Sequence, residues 1–255
     1  MTLLNLWRLW RDTLTDDSGK FWKWAQLYLD PGQYPSQADD LLTSRVLYIV
    51  PQIWISYSTS LGLLESLLQV ISEGKTPLIR KLDCFVELAP QVSPEILAGA
   101  AMKLESLRSE MSSPQLEAIL ARIVGSPDSK LRKIACWWSG PDMSGMDPEI
   151  LSEALLKLET VDVGDLRLSP GQVLSLFSRI RDSPNLRLTQ LSLLCNVSTV
   201  PPEVFVGAVS RLERVRFYRR AVTASQLEAL LIHQSGVGEP KLSFQLSETA
   251  FIWIH

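Results

Sequence analysis

At 255 residues the chain has enough length for a sizeable core in one or two domains. Hydrophobic residues at 46% against 21% charged exclude a disordered tail, and a formal charge of −3 leaves no global electrostatic footprint for nucleic acid or an anionic membrane. Three cysteines do not complete a set of internal disulfides and favour a reducing compartment.

The opening MTLLNLWRLWRDTL predicts a helix from Leu3 to Leu14. Arg8 and Arg11 interrupt its apolar stretch and no small-residue cleavage site comes after it, so it is not read as a secretory signal. A polar break at Thr15-Asp16-Asp17-Ser18-Gly19 leads into a segment holding Trp22 and Trp24. Residues 1–45 are therefore expected to form a helical cap, closing the open end of a second region over 46–255. No apolar run reaches the roughly 20 residues of a membrane span. The expectation is a cytoplasmic or nuclear protein with no membrane or nucleic-acid partner.

From residue 50 onward the chain repeats itself. VSPEILAGAAMKLESL from Val92, MDPEILSEALLKLETV from Met146 and VPPEVFVGAVSRLERV from Val200 lie at two equal offsets of 54 residues. SPQLEAILARI from Ser113, SPGQVLSLFSRI from Ser169 and ASQLEALLIHQ from Ala224 interleave with them, so two kinds of unit alternate. Each unit opens with an L-x-x-L-x-L core or a variant: Ile79-Leu82-Cys84, Leu104-Leu107-Ser109, Leu131-Ile134-Cys136, Leu158-Val161-Val163, Leu188-Leu191-Leu193 and Leu212-Val215-Phe217. A weaker opening, Val50-Ile53-Ile55, precedes these, and a degenerate one near Leu242 comes after them.

The last two apolar positions of each opening are two residues apart, which is the strand period, so both point inward. Helices led by Pro come next, as at Asp147-Pro148-Glu149 and Ser169-Pro170, with Ser or Asp as cap. Ile150, Leu151, Ala154, Leu155 and Leu158 recur at helical spacing. One such unit cannot bury its apolar face alone; stacking buries it continuously.

The period near 27 and the strong helices resemble the ribonuclease-inhibitor-like class of leucine-rich repeats, from about Val50 to Leu246. The resemblance implies an α/β solenoid, with parallel strands on a concave face, helices on a convex face and the cap at its N-terminal end. That class usually places Asn or Cys just after the strand; only Cys195 and Asn196 sit well for it. Outward strand positions are then the partner-binding surface: Phe85, Arg108, Trp137, Asp162, Leu194, Arg214, Arg216 and Tyr218. Aromatics and Arg are the residue types that most often anchor interfaces. Arg211, Arg214, Arg216, Arg219 and Arg220 make the last units locally basic, which reads either as a docking site for an acidic peptide or phosphate or as a solvated strand edge.

No catalytic arrangement is legible. Cys84 and Cys136 occupy inward positions, where a thiol is a small hydrophobe, and Cys195 falls in the turn after a strand. His233 and His255 lie near no Cys or Ser in a recognised pattern, and the 13 glycines form no phosphate loop. The expectation is a non-enzyme with no cofactor and no metal.

LWRLWRDTLTDDSGKFWKWAQLYLD resembles the final third of an F-box: an apolar-x-x-Trp-Arg helix end, an acidic loop, then a Trp leading into the first strand. Leu6, Trp10, Arg11, Trp22 and Leu27 fall on those positions, and the chain begins after the point where the leading Leu-Pro-x-Glu half would end. With the repeats, this resembles an F-box and leucine-rich-repeat protein. The resemblance implies a substrate-recognition subunit of a cullin-RING (SCF-type) ubiquitin ligase, with Leu6, Trp10 and Arg11 facing a Skp-type adaptor. The alternative is an adaptor-independent leucine-rich-repeat binding or inhibitor protein.

Overall fold

The computed structural model describes residues 51–235, apart from 56–59, 77, 86–88, 137–140, 164–165, 194 and 219–221. It also describes the backbone of three further strands, and for Tyr218 and Gln234 the backbone alone. The expected helix over 3–14, with Leu6, Trp10 and Arg11, lies outside the described residues, as do Trp137 and Leu194.

Strands β1 (Gln26–Leu29), β2 (Gln52–Ile55), β3 (Lys81–Cys84), β4 (Ser106–Ser109), β5 (Lys133–Cys136), β6 (Thr160–Val163), β7 (Gln190–Leu193) and β8 (Arg214–Tyr218) lie side by side in chain order, each parallel to the next. From β2 on, each strand is followed by a helix: α1 (Leu61–Ser72), α2 (Pro94–Ala101), α3 (Ser113–Gly125), α4 (Pro148–Leu156), α5 (Pro170–Asp182), α6 (Pro202–Val209) and α7 (Ala224–Ser235). Consecutive helices pack on one another from α1 through α7. This is an open α/β sheet of solenoid-like, repeating units. β1 belongs to the same sheet, although it falls within the segment 1–45 assigned to the cap.

The inward strand pairs are buried as the strand period requires, from Ile53 and Ile55 in β2 to Val215 and Phe217 in β8. Ser109 is the polar exception, and its hydroxyl donates to the Glu110 carbonyl at 2.9 Å. Phe177 of α5, Phe205 of α6 and Phe217 of β8 pack with centroids 5.4 to 6.0 Å apart, fixing the last units to one another.

At the strand entrances one carbonyl of each unit accepts two N–H groups from the next. Arg80 O takes Glu105 N and Ser106 N at 2.7 and 3.0 Å, and the same pair recurs at Glu105, Arg132, Glu159 and Thr189. The side chains in this column alternate in sign, with Arg80 at 3.4 Å from Glu105 and Arg132 at 2.6 Å from Glu159. These pairs are largely exposed, so each adds well under about 1 kcal/mol. The backbone column sets the register.

The alternation of units is structural as well. Helices α2, α4 and α6 have 8, 9 and 8 residues, whereas α3, α5 and α7 have 13, 13 and 12. At the third position of α3, α5 and α7 stands a glutamine with no solvent exposure: Gln115, Gln172 and Gln226. Its Oε1 accepts from the backbone N–H of the N-cap, at 2.9 Å from Ser112, 2.8 Å from Ser169 and 2.9 Å from Thr223. Its Nε2 donates to two carbonyls of the turn in the preceding unit, Ala89 and Val92, Met143 and Met146, or Val197 and Val200, at 2.6 to 2.8 Å. A capping box thus doubles as a latch between neighbouring units.

The opening expected near Leu242 does not add another parallel strand. β9 (Phe244–Leu246) pairs antiparallel with β10 (Phe251–Ile254), and β10 pairs antiparallel with β8. Four residues separate β9 from β10, enough for a hairpin; a parallel return needs a crossover of about a dozen.

Candidate site on the outer face of the strands

Pleating sends every second strand residue away from the helices, and register turns those residues into rows. Gln52, Lys81, Ser106, Lys133, Thr160, Gln190 and Arg214 align in one row, and Trp54, Asp83, Arg108, Ala135, Asp162, Ser192 and Arg216 in the next. These positions are half-buried or exposed, in contrast to the sealed inner pairs. Their charged members are Lys81, Arg108, Lys133, Arg214 and Arg216 against Asp83 and Asp162, a basic surplus on a chain whose net charge is −3.

The face has two chemically distinct ends. At β2 and β3, the Trp54 and Phe85 rings lie 5.3 Å apart and tilted by 33°. The Trp54 indole N–H is buried without a hydrogen-bond partner. Beside them Gln52 Nε2 donates to Asp83 Oδ2 at 2.9 Å, and Arg108 Nε stands 3.9 Å from Asp83 Oδ1. Burial raises the Asp83 carboxyl above its ordinary range, opposed by the Gln52 hydrogen bond and by the charges of Arg108 and Lys81.

Across β6, β7 and β8 the face sinks into a depression of about 160 Å³ lined by Thr160, Asp162, Gln190, Ser192, Arg214 and Arg216. Register sets Asp162 beside Ser192 and Ser192 beside Arg216. The Ser192 hydroxyl is buried here without a hydrogen-bond partner. Beyond Arg216 the sheet continues into β10, with Trp253 at the position opposite Arg216.

Of the residues expected on this face, Asp162, Arg214 and Arg216 come together in the depression, while Phe85 and Arg108 belong to the β2–β4 end. Tyr218 closes β8, at the register position of Phe251. Sequence reading missed Gln52 and Trp54, because the Val50 opening is weak; it counted Ser192 on the outward face without choosing it as a binding residue, since its hydroxyl is notable only for lacking a partner. A larger open groove of about 580 Å³ lies between helices α1, α2 and α3, lined by Ser72, Gly99, Lys103 and Arg122 among others. Within it Gly99 of α2 lies directly against Ser72, where a Cβ would meet the serine hydroxyl. Among the described residues no buried polar group without a partner faces it.

The cysteines belong to the packing. All three are buried, and burial pushes the Cys136 and Cys195 thiols up to about 12. Asn196, next to Cys195, caps its own turn by accepting from Ser198 N at 3.0 Å. His233 is exposed on α7. Among the described residues no three His, Cys, Asp or Glu side chains gather as a metal site, and no helix is long and apolar enough to cross a membrane. Comparison of the chain with family models, with curated proteins and with solved structures gives no match.

Proposed function

We propose that the chain is a non-catalytic leucine-rich-repeat scaffold that takes a protein partner on the outer face of its strands, and that it acts as the substrate-recognition subunit of a cullin-RING ubiquitin ligase. The observation that carries the binding role is the asymmetry of the sheet. One face is sealed by helices and buried throughout; the other presents two registered rows of side chains, rich in Arg and with an aromatic pair, over which no described element folds. Such a surface, rigid and extended, is what repeat proteins offer to partners. Thiols held fully protonated at neutral pH fit a scaffold better than a nucleophile.

The ligase role rests on the resemblance of the N-terminal segment to the end of an F-box. One feature of the fold supports it: β1, the first strand of the sheet, begins at Gln26, four positions after Trp22 in the sequence, in keeping with a pattern whose Trp leads into the first strand. The test is co-expression with a Skp-type adaptor, of the chain as it stands and of a form carrying a Leu-Pro-x-Glu helix ahead of Met1. Stoichiometric co-purification of either form, lost in Trp10→Ala, supports the receptor role. An adaptor that passes through with neither form overturns it and leaves the adaptor-independent scaffold.

A further inference from the structure

We propose that the depression across β6, β7 and β8 is a carboxylate subsite, built to hold one Asp or Glu side chain of an extended partner segment. The inference rests on the strand-face reading above and adds the chemistry that the face recognises.

The strand that carries the donors is fixed by the core beneath it. Arg214 and Arg216 leave β8 at alternate positions, and the intervening and following residues, Val215 and Phe217, have no exposure. Phe217 packs against both Phe177 and Phe205, so the strand carrying both guanidiniums is anchored by an aromatic cluster. A planar guanidinium on a rigid base is suited to a carboxylate, which it meets with parallel N–H donors.

Between these and Asp162 lies Ser192, whose buried hydroxyl has no partner. A buried polar group without a hydrogen bond is costly, and one that lines a depression beside two cations is satisfied once an anion enters. Size and charge then select among anions. About 160 Å³ suits a single side chain and falls below the space of a drug-sized or cofactor ligand. Asp162, in the same lining, repels a phosphate dianion more strongly than a single carboxylate. The surrounding surplus of Lys81, Arg108 and Lys133 draws an acidic segment toward the face and raises its rate of encounter.

The test uses fluorescein-labelled octaglutamate, with octaglutamine and an octapeptide bearing one phosphoserine as comparisons, followed by fluorescence polarisation on the full chain at low ionic strength. Wild type is expected to bind octaglutamate and not octaglutamine. Arg216→Gln should weaken it about tenfold and Ser192→Ala about fivefold, while Arg122→Gln on the helix side changes nothing. Asp162→Asn should tighten binding severalfold, a gain that misfolding does not produce. Octaglutamate binding that survives Arg216→Gln, or is unchanged by Asp162→Asn, overturns the subsite. So does tighter capture of the phosphoserine peptide than of octaglutamate. If octaglutamate is ignored but neutral peptides selected from a random library still lose binding in Ala135→Trp, the subsite fails and the strand-face reading stands. If they keep binding in Ala135→Trp, both fail.

Discussion

Replacing Gln172 by Leu removes three hydrogen bonds at a fully buried position: Nε2 to Met143 O and Met146 O, both at 2.6 Å, and Ser169 N to Oε1 at 2.8 Å. The losses are unequal. Met143 O still accepts from Met146 N at 3.0 Å, so it keeps one partner. Met146 O and the Ser169 N–H lose theirs inside the protein, at about 1–3 kcal/mol each. Leu fills nearly the same volume and regains about 1 kcal/mol of apolar burial. The net expectation is a loss of about 3 kcal/mol, large for a substitution that creates no cavity. Urea unfolding of the full chain followed by circular dichroism reads it: with a slope near 3 kcal/mol/M, the midpoint falls by about 1 M. Gln115→Leu breaks the equivalent latch, and the two losses should add, since the sites share no partner. A loss below about 1 kcal/mol at unchanged slope would refute the latch and reduce the buried glutamines to passengers of the capping box.

Two further outcomes come from the titratable groups. Asp83 has a carboxyl raised by burial, so its folded value lies above its unfolded one; its contribution is present at low pH and is lost as pH rises through the folded value. Asp83→Asn, which still accepts from Gln52, should remove that decline, and stability measured by urea midpoints from pH 4 to 7 should rise relative to wild type toward the neutral end. Cys136 and Cys195, raised from 9.0 to about 12, should likewise cost stability as pH climbs from about 9 toward 12. At pH 8 a thiol-specific disulfide reagent should reach them only at the rate of unfolding; immediate labelling of the native protein contradicts their burial.

Much of the fold was legible because its signals are local. Leu82 and Cys84, or Val161 and Val163, betray inward strand positions by spacing alone, and the PEIL segments announce helices through cap, proline and apolar period. The alternation of two unit types was also visible as interleaved repeats. Its purpose was not, because Gln115, Gln172 and Gln226 look like ordinary exposed helix residues until their partners, 23 to 29 residues upstream, are brought against them. The C-terminal segment misled for the opposite reason: its apolar residues imitate another opening, and only strand pairing shows the hairpin.

Sequence periodicity by itself determined which side chains face the helices and which face outward, because both periods are properties of the backbone within a few residues. Tertiary structure alone decided what the outward residues do together. Asp162, Ser192 and Arg216 are separated by 30 and 24 positions in the chain, and nothing local links them. They become neighbours through the register of β6, β7 and β8, and that register is held by paired backbone bonds and a buried aromatic cluster far from the surface they organise.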